Sequence, residues 1–349
     1  MHGYRCCGAT LASAIELPQL EPAAIADASC TIDVAAPSRA APAEHRWFHR
    51  WRVGGGRPWL LFARAPEGYL LRFPDFADVL VSPDGAHLRV RPRAGVPADT
   101  LQHLLLDQVL PLALSRGGRL VLHASAVHVP GLGAIALAGR TGRGKSTLAA
   151  ALAANGAAIL ADDGLVIERI GSAPCAQPAY PGLRLWPGSP IADVRRAAAT
   201  PVAHYTYKRR VRGAMLPFRT DPSPLRALFL LLPRATRGPA ATIRRSRGAA
   251  RMMALVKHAY VLDIGDRDEL SRVFDAVATL AVRVPVLTAR VRHGGRWLAA
   301  AVEAIAARAA AEGVAHASAS HDASARVRSA ADGRGRSIAP PRRVDPCTS

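Results

Sequence analysis

The first stretch with a regular hydrophobic pattern lies between residues 46 and 93, where short apolar or alternating runs follow one another. Runs at 59–63, 68–73 and 87–91 are separated by segments rich in Pro, Gly and acidic residues. Short runs between such turn signals are typical of antiparallel strands. Apolar residues then recur at helical spacing over 97–112. The pattern predicts an antiparallel sheet of short strands followed by a helix.

From residue 118 onward, strand-like and helical patterns alternate, which is typical of an α/β domain. An apolar run at 134–138 leads through a glycine-rich loop into an Ala/Leu helix at 145–154, and another apolar run follows at 157–161. The remaining pattern predicts strands at 120–127, 165–168, 225–232 and 285–289 and helices at 268–284 and 297–311.

These changes of pattern predict four segments. Residues 1–45 are rich in Ala, Pro and small polar residues without a clear period, and we expect a disordered arm. Residues 46–117 are expected to form a small α+β domain, and residues 118–312 an α/β domain. Residues 313–349 contain mainly Ala, Ser, Arg and Pro without an apolar period, which predicts a disordered tail.

The glycine-rich loop matches the phosphate-loop (P-loop) pattern G-x-x-x-x-G-K-[ST]. Its glycines allow a tight turn that aims backbone N–H groups at phosphate oxygens. Lys145 is expected to neutralise the β- and γ-phosphates, and Ser146 offers a hydroxyl to Mg²⁺. The strand before the loop and the helix after it are the context that this function needs. The predicted nucleotide-binding residues are Gly139, Arg140, Thr141, Gly142, Arg143, Gly144, Lys145, Ser146 and Thr147.

Two adjacent carboxylates, Asp162 and Asp163, directly follow the strand predicted at 157–161. If that strand runs beside the loop, they lie near the γ-phosphate, where a carboxylate can hold Mg²⁺ or accept a proton from an attacking hydroxyl. The alternative is a pair of surface acids that begins a turn before Gly164. The strand at 225–232 ends in Pro and Arg, so it does not supply a metal-binding aspartate.

Composition adds the charge and excludes several protein classes. The chain has 349 residues, half of them hydrophobic, and a formal net charge of +20. From residue 204 to 257 there are 13 Lys or Arg and one acid. This stretch could bind an acidic peptide or supply a cation to a transferring phosphoryl group, and Lys208 is the best single candidate for that role. The alternative is a solvated basic face whose arginine content is inflated by codon bias. Five scattered cysteines indicate neither a disulfide framework nor a zinc site.

The chain gives no sign of a membrane span or a good signal peptide, so we expect a cytoplasmic protein without a membrane partner. We do not expect nucleic acid as a partner, because the basic stretch contains too few aromatic residues for base stacking.

The strand before the glycine-rich loop, the loop itself and the acid pair together resemble the catalytic domain of HPr kinase/phosphorylase. In that family a strand carrying a His precedes the P-loop, and a later strand ends in Ala-Asp-Asp. Here His123, the loop at 139–146 and Asp162–Asp163 follow in the same order, and Asp162 comes 17 positions after Lys145. The stretches 105–111 and 180–187 resemble HPr-kinase-like proteins associated with ribosomal peptides, including lasso peptide kinases.

The resemblance implies a fold and a chemistry. The fold would be a P-loop kinase domain of the HPr kinase C-terminal type, preceded by the small α+β domain. The reaction would be Mg²⁺-dependent transfer of the γ-phosphoryl of ATP to a Ser or Thr hydroxyl of a peptide or protein, such as a precursor peptide. By similarity, Asp162 would be the general base, Asp163 a metal ligand with Ser146, and His123 a neighbour of the γ-phosphate or the base. Lys145 would be the catalytic cation.

Several residues depart from the family pattern or leave alternatives open. Thr147 stands where the bacterial kinases usually have Glu, which leaves open the number of metal ions and whether the phosphoryl group flows in the kinase or the phosphorylase direction. The segment that grips HPr in the family is not visible, so we do not expect HPr as the acceptor. Arg184 is either a phosphate clamp or a surface residue, and His123 is either catalytic or a buried strand histidine. An ATP-binding accessory protein without transfer activity and a nucleic-acid-binding NTPase are the alternative functions. The acceptor and the oligomeric state, including a homo-oligomer, stay open.

Overall fold

The computed structural model describes residues 1–36, 45–52, 56–187, 189, 199–203, 208–212, 216–292 and 294–312. The tail expected at 313–349 lies outside the described residues, as do residues 37–44 of the expected arm. The described part of the chain combines helices with two nine-stranded sheets and one three-stranded sheet. It is therefore a mixed α/β structure.

The first sheet is built from the N-terminal part of the chain in the order β3-β1-β2-β4-β9-β8-β7-β6-β5. Strands β5 to β9 pair antiparallel with their neighbours in sequence, which confirms the antiparallel sheet predicted for residues 46–93. The strands are β1 (His2–Cys6), β2 (Ala9–Ser13), β3 (Glu21–Pro22), β4 (Cys30–Val34), β5 (Trp47–Arg52), β6 (Pro58–Ala65), β7 (Gly68–Phe73), β8 (Ala77–Val81) and β9 (His87–Pro92).

The expectation of a disordered arm over residues 1–45 is wrong for residues 1–36. Strands β1 to β4 form one side of the first sheet, with β4 parallel to β9. Tyr4, Leu11 and Ile32 are buried in its core. The sequence pattern misled because many inward positions here carry Ala or Cys, which pack well between strands but give little hydrophobic contrast.

One helical segment follows the first sheet and confirms the helix predicted at 97–112. It consists of α1 (Ala98–Leu104), a π-helical turn (Leu105–Val109) and α2 (Leu110–Arg116). Leucines on this segment are buried against both large sheets, and Asp107 is buried with them in the π turn. Such turns widen a helix by one residue and are frequent at functional sites.

The second sheet has the order β10-β14-β15-β19-β12-β11-β13, with β21 beside β19 and β20 beside β21. Strands β12, β19 and β21 are parallel, and β11 and β13 extend the sheet antiparallel on the far side of β12. The strands are β10 (Leu120–Leu122), β11 (Ala124–Val129), β12 (Gly133–Ala138), β13 (Ala158–Ala161), β14 (Leu165–Ile170), β15 (Ala173–Ala176), β19 (Ser223–Leu231), β20 (Ala241–Arg245) and β21 (Val286–Val291).

The remaining elements cover this sheet. A small sheet holds β16 (Leu183–Leu185), β17 (Ala199–Pro201) and β18 (Arg209–Val211) in the order β16-β18-β17. The helices are α3 (Lys145–Ala154), α4 (Gly248–Val256), α5 (Arg267–Arg283) and a last helix, α6, over 298–312. One buried cluster surrounds α3 and α6, and a larger one extends from the first sheet through the helical segment to the second sheet. The buried side chains are thus continuous across residue 117.

No helix within the described residues is long and apolar enough to cross a membrane.

Candidate functional site

The glycine-rich loop connects the carboxyl end of β12 to the first residue of α3. Gly142 and Gly144 have φ values of +83° and +99°, a backbone conformation that glycine adopts without strain. Gly144 is the N-cap of α3, and no side chain caps the helix there. The first N–H groups of a helix have no acceptor within the helix, so this end can receive an anion.

Lys145 joins the loop to the acid pair. Its Nζ lies 3.0 Å from His123 Nε2 and 3.7 Å from Asp163 Oδ1, and it donates to the carbonyl oxygen of Gly139 at 3.0 Å. Burial lowers the pKa of Lys145, while the nearby carboxylates of Asp163 and Asp162 act in the opposite direction. The lysine is therefore held by its neighbours, with its ammonium at the base of the loop.

Asp162 is enclosed by hydrogen-bond donors. Its Oδ1 accepts from the hydroxyls of Ser125 at 2.6 Å and Ser146 at 2.8 Å, and its Oδ2 accepts from the backbone N–H of Arg184 at 2.9 Å. Only 3% of its side chain is exposed. Because β13 pairs with β11, the residue after β13 comes beside Ser125. Asp162 thus links the loop serine to the sheet.

Asp163 is more exposed than Asp162, and its carboxylate points toward His123 and Lys145. With φ at +64° it adopts the left-handed conformation, which Asp tolerates better than most residues. The turn sends its carboxylate toward His123, 3.4 Å from Nε2, and 22% of the side chain is exposed. Burial alone would raise the pKa of Asp163. The Arg184 guanidinium and the His123 hydrogen bond outweigh this and, with the charges of two nearby lysines, hold that pKa well below its usual range.

His123 connects the site to a segment that the sequence analysis did not single out. Its backbone N–H donates to the carbonyl oxygen of His258 at 2.7 Å, and its ring meets the Tyr260 ring edge-on, with 6.2 Å between centroids. Burial, helped by the charges of His123 and Lys145, lowers the pKa of His258 to about 4. The Tyr260 hydroxyl donates to the carbonyl oxygen of Asp163 at 3.3 Å. Neither residue stands in a motif, so no sequence signal indicated them.

Arg184 is buried, so the surface position that the sequence analysis left open is wrong, while the role of a phosphate clamp stays a prediction. It is 4% exposed, its Nη2 donates to the carbonyl oxygen of Asp162 at 2.6 Å, and it forms an ion pair with Asp107. Its guanidinium is thus occupied by carboxylates and a carbonyl group of the protein itself. Asp107 lay in an apolar helical pattern and gave no signal of this contact.

A cavity of about 230 Å³ opens beside the loop, at the start of α3. Thr147, Leu148, Val291 and Leu298 form part of its walls. Three guanidinium groups also line the cavity, those of Arg143, Arg234 and Arg292. The cavity therefore combines apolar walls with positive charge next to the proposed phosphate site.

The oxygen atoms near the loop fit a magnesium ion better than a transition metal. A hydroxyl and carboxylates from Ser146, Asp162 and Asp163 are hard ligands, which Mg²⁺ prefers. Within the described residues there is no group of three or more His, Cys, Asp or Glu side chains that could hold a metal ion. A magnesium ion here would have to share its coordination with phosphate and water, as Mg²⁺ commonly does.

The basic stretch at 204–257 reaches the site at Lys208. The positive charge of Lys208 helps lower the pKa values of both Asp163 and Lys145. Its Nζ also lies 5.8 Å from the centre of the Trp186 ring, which is half exposed. Residues 204–207 and 213–215 of this stretch lie outside the described residues.

Comparison with solved structures gives a remote structural likeness. No protein-family model matches the chain, and no curated protein matches it by sequence. Among solved structures, the chain is similar to the Hpr(Ser) kinase/phosphatase from Coxiella burnetii, at 12% sequence identity and a TM-score of 0.32. The match covers 58% of this chain and 96% of that chain. A likeness this remote carries no conclusion about activity, so any function has to be argued from the site itself.

Proposed function

We propose that this protein is a phosphotransferase that passes the γ-phosphoryl group of ATP to a hydroxyl group of a peptide or protein. The observation that carries the proposal is the convergence of Lys145, Ser146 and both carboxylates at an uncapped helix N-terminus. Lys145 Nζ lies 3.7 Å from Asp163, and Ser146 Oγ lies 2.8 Å from Asp162. This space therefore holds groups that could bind a phosphate, groups that could bind a metal ion, and a carboxylate that could accept a proton.

The loop and α3 would hold the phosphates. Backbone N–H groups at the start of α3 and the positive end of its dipole would face the β- and γ-phosphate oxygens. When ATP binds, the Lys145 ammonium would move from His123 and Asp163 toward the phosphates, because their negative charge attracts it. The nucleoside would extend into the cavity beside Thr147, between apolar walls and arginine side chains.

We propose a division of roles between the acids that is the reverse of the one implied by the family resemblance. Asp162 contacts the hydroxyl of Ser146, so it suits the metal side of the site. Bound there, Mg²⁺ would neutralise the charge of the phosphates during transfer. Asp163 lies beside His123 and Lys145 and is partly exposed, so it suits the side from which the acceptor arrives.

The chemical step then follows from these positions. The acceptor oxygen attacks the γ-phosphorus and forms the new O–P bond, while the bond between this phosphorus and the bridging β,γ oxygen breaks and ADP leaves. The hydroxyl proton passes to the Asp163 carboxylate, which its cationic neighbours keep ionised at neutral pH. His123 holds that carboxylate in place, and Lys208 adds positive charge on the acceptor side.

The experiment is a titration of the purified chain with Mg·ATP, followed by transfer from γ-labelled ATP to candidate acceptors. Hydroxyl-containing precursor-type peptides, with and without acidic residues, are the first acceptors to test, because Lys208 and its neighbours would favour acidic ones. Transfer that is lost in Lys145→Ala supports the proposal. A wild-type chain that binds no Mg·ATP overturns it.

A second candidate function, an ATP-binding accessory protein without transfer activity, is favoured by one observation. Thr147 follows the loop serine and lines the cavity, so this position adds no carboxylate to the acid pair. Tight Mg·ATP binding without transfer to any acceptor, and without slow hydrolysis of ATP, would favour this candidate over the kinase.

A further inference from the structure

A single buried arginine holds both members of the acid pair. The backbone N–H and side chain of Arg184 contact Asp162, and its Nη2 lies 3.6 Å from Asp163 Oδ2. Only 3% of the Arg184 side chain is exposed. A guanidinium has a rigid, planar set of donors, so contacts along its edges fix the positions of several oxygens at once.

The outer edge of this guanidinium is anchored on a different part of the fold. Asp107 lies in the π turn of the helical segment and forms an ion pair with Arg184. It also accepts a hydrogen bond from the hydroxyl of Tyr180 and contacts His103. Burial opposes the ionisation of Asp107, but Arg184 and His103 hold its pKa well below the usual range. A charged, fully partnered carboxylate is therefore buried between the helical segment and the site.

The contacts of Arg184 fall on both sides of the unusual turn at Asp163. It binds the carbonyl oxygen of Asp162 before the turn and the Asp163 carboxylate after it. Without such contacts the left-handed conformation of Asp163 would be one of several available to the chain. Asp107 reaches this turn through Arg184, because both of these side chains are buried and in direct contact.

We propose that Asp107 and Arg184 are positioning residues that fix the direction of the two carboxylates, so that the helical segment before the α/β part belongs to the active-site scaffold. This inference rests on the proposed phosphotransfer. Asp107 acts through Arg184 and touches neither nucleotide nor acceptor. Removing its charge is expected to change the rate of transfer more than the binding of ATP.

The test compares two isosteric variants. Asp107→Asn is expected to lower kcat by about 10–100-fold, as is typical for residues that orient metal or catalytic ligands, with the Mg·ATP dissociation constant changed less than about twofold. The matched control is Asp78→Asn, which removes a carboxylate from a largely buried Asp–Arg pair in the first sheet, where Asp78 bonds to Arg72 at 2.9 Å. We expect Asp78→Asn to lose stability but to keep its kcat at temperatures where it stays folded.

Wild-type kcat in folded Asp107→Asn overturns the inference. Equal losses of kcat in Asp107→Asn and Asp78→Asn, in proportion to their thermal unfolding, also overturn it, because the role would then be structural only. If Asp107→Asn does not fold, Tyr180→Phe replaces it. That variant removes one donor from Asp107 and keeps the ring, and we expect a smaller loss of kcat in the same direction.

A measurement without nucleotide separates this inference from the proposed function. Hydrogen exchange of the peptide covering 160–166 reports on the turn, where the N–H of Gly164 donates to the carbonyl oxygen of Asp162 at 2.9 Å. Faster exchange there in Asp107→Asn, but not in Asp78→Asn, supports the positioning role even if the wild type transfers no phosphate. Unchanged exchange in both variants overturns it, whatever the wild type does with ATP.

Discussion

The two halves of the site differ although their central residues are identical and consecutive. On the Ser146 side, Asp162 is closed off and accepts hydrogen bonds from two serine hydroxyls and a backbone N–H. On the Lys145 side, Asp163 is partly exposed and is surrounded by cationic and imidazole groups. The turn at Asp163 creates the difference, because its positive φ points the second carboxylate away from the first. Residue type and spacing brought both acids to the loop, but the local backbone gave them different partners.

We call the surroundings of Asp163 the open half of the site and those of Asp162 the closed half. The largest expected effect tests whether the residues of the open half carry out the proton transfer. Asp163→Asn keeps the size of the side chain but cannot accept the proton of the acceptor hydroxyl as a carboxylate does. We expect kcat to fall on the order of 10²–10⁴-fold while Mg·ATP affinity changes little. Initial rates of transfer from γ-labelled ATP, with nucleotide titration in parallel, measure both quantities. If Asp163→Asn keeps full activity and Asp162→Asn instead loses kcat on the order of 10²–10⁴-fold, the roles that the family resemblance implies are restored.

The next effect concerns Lys145, which lies between the loop and the open half. Lys145→Ala is expected to weaken Mg·ATP binding and to slow transfer by about 10²–10³-fold, since a preorganised cation is lost. Lys145→Arg should fail too, because a planar guanidinium does not replace a compact ammonium packed against Gly139 and His123. Calorimetric titration checks the binding part. Unchanged affinity in Lys145→Ala would remove the phosphate-loop assignment.

The loop and the acid pair could be predicted from sequence because short segments determine them. The strand, loop and first turn of α3 all lie between residues 133 and 148, and Asp162 follows the next predicted strand directly. The loop's conformation depends on its own glycines, so a local pattern is sufficient to identify it. Which residues contact the nucleotide stays a prediction.

The surroundings of the acids could not be predicted, because they depend on contacts between distant segments. The sequence left Arg184 as either a phosphate clamp or a surface residue and did not indicate its partner Asp107, which lies on the helical segment before the α/β part. Tyr260 enters the site through a loop between two helices. The N-terminal strands were missed for another reason, since inward-facing Ala and Cys residues give a weak alternation. For Arg184 and Tyr260, the position in the site is decided by contacts with residues that are distant in the sequence.

A smaller effect is expected in the closed half. Asp162→Asn replaces a carboxylate that accepts from Ser146, and an amide is a poorer ligand for Mg²⁺. We expect the Mg²⁺ concentration for half-maximal transfer to rise by about 10–100-fold, with a smaller loss of kcat at saturating Mg²⁺ than in Asp163→Asn. Magnesium titrations of the transfer rate give both values. If saturating Mg²⁺ restores nothing, Asp162 does more than support the metal.

The smallest effect comes from the wall of the closed half. Ser125 donates to Asp162 from β11 at 2.6 Å and is fully buried. Ser125→Ala removes one of several donors to that carboxylate, and we expect a loss of about 1.5–3 kcal/mol of stability, the range for a hydrogen bond to a charged group. The transfer rate at saturating Mg²⁺ should change only a few-fold, because Asp163 keeps its partners.

The matched control for that variant is Ser223→Ala. Ser223 is fully buried in the same sheet, but its hydroxyl pairs with His128, 2.8 Å away, rather than with an acid of the site. Chemical denaturation measures both variants, and the transfer assay is run beside it. A larger loss of stability in Ser125→Ala than in Ser223→Ala is expected, because the Ser125 hydrogen bond ends on a buried carboxylate. A loss of transfer in Ser125→Ala as large as in Asp163→Asn would mean that the two halves of the site act as one unit.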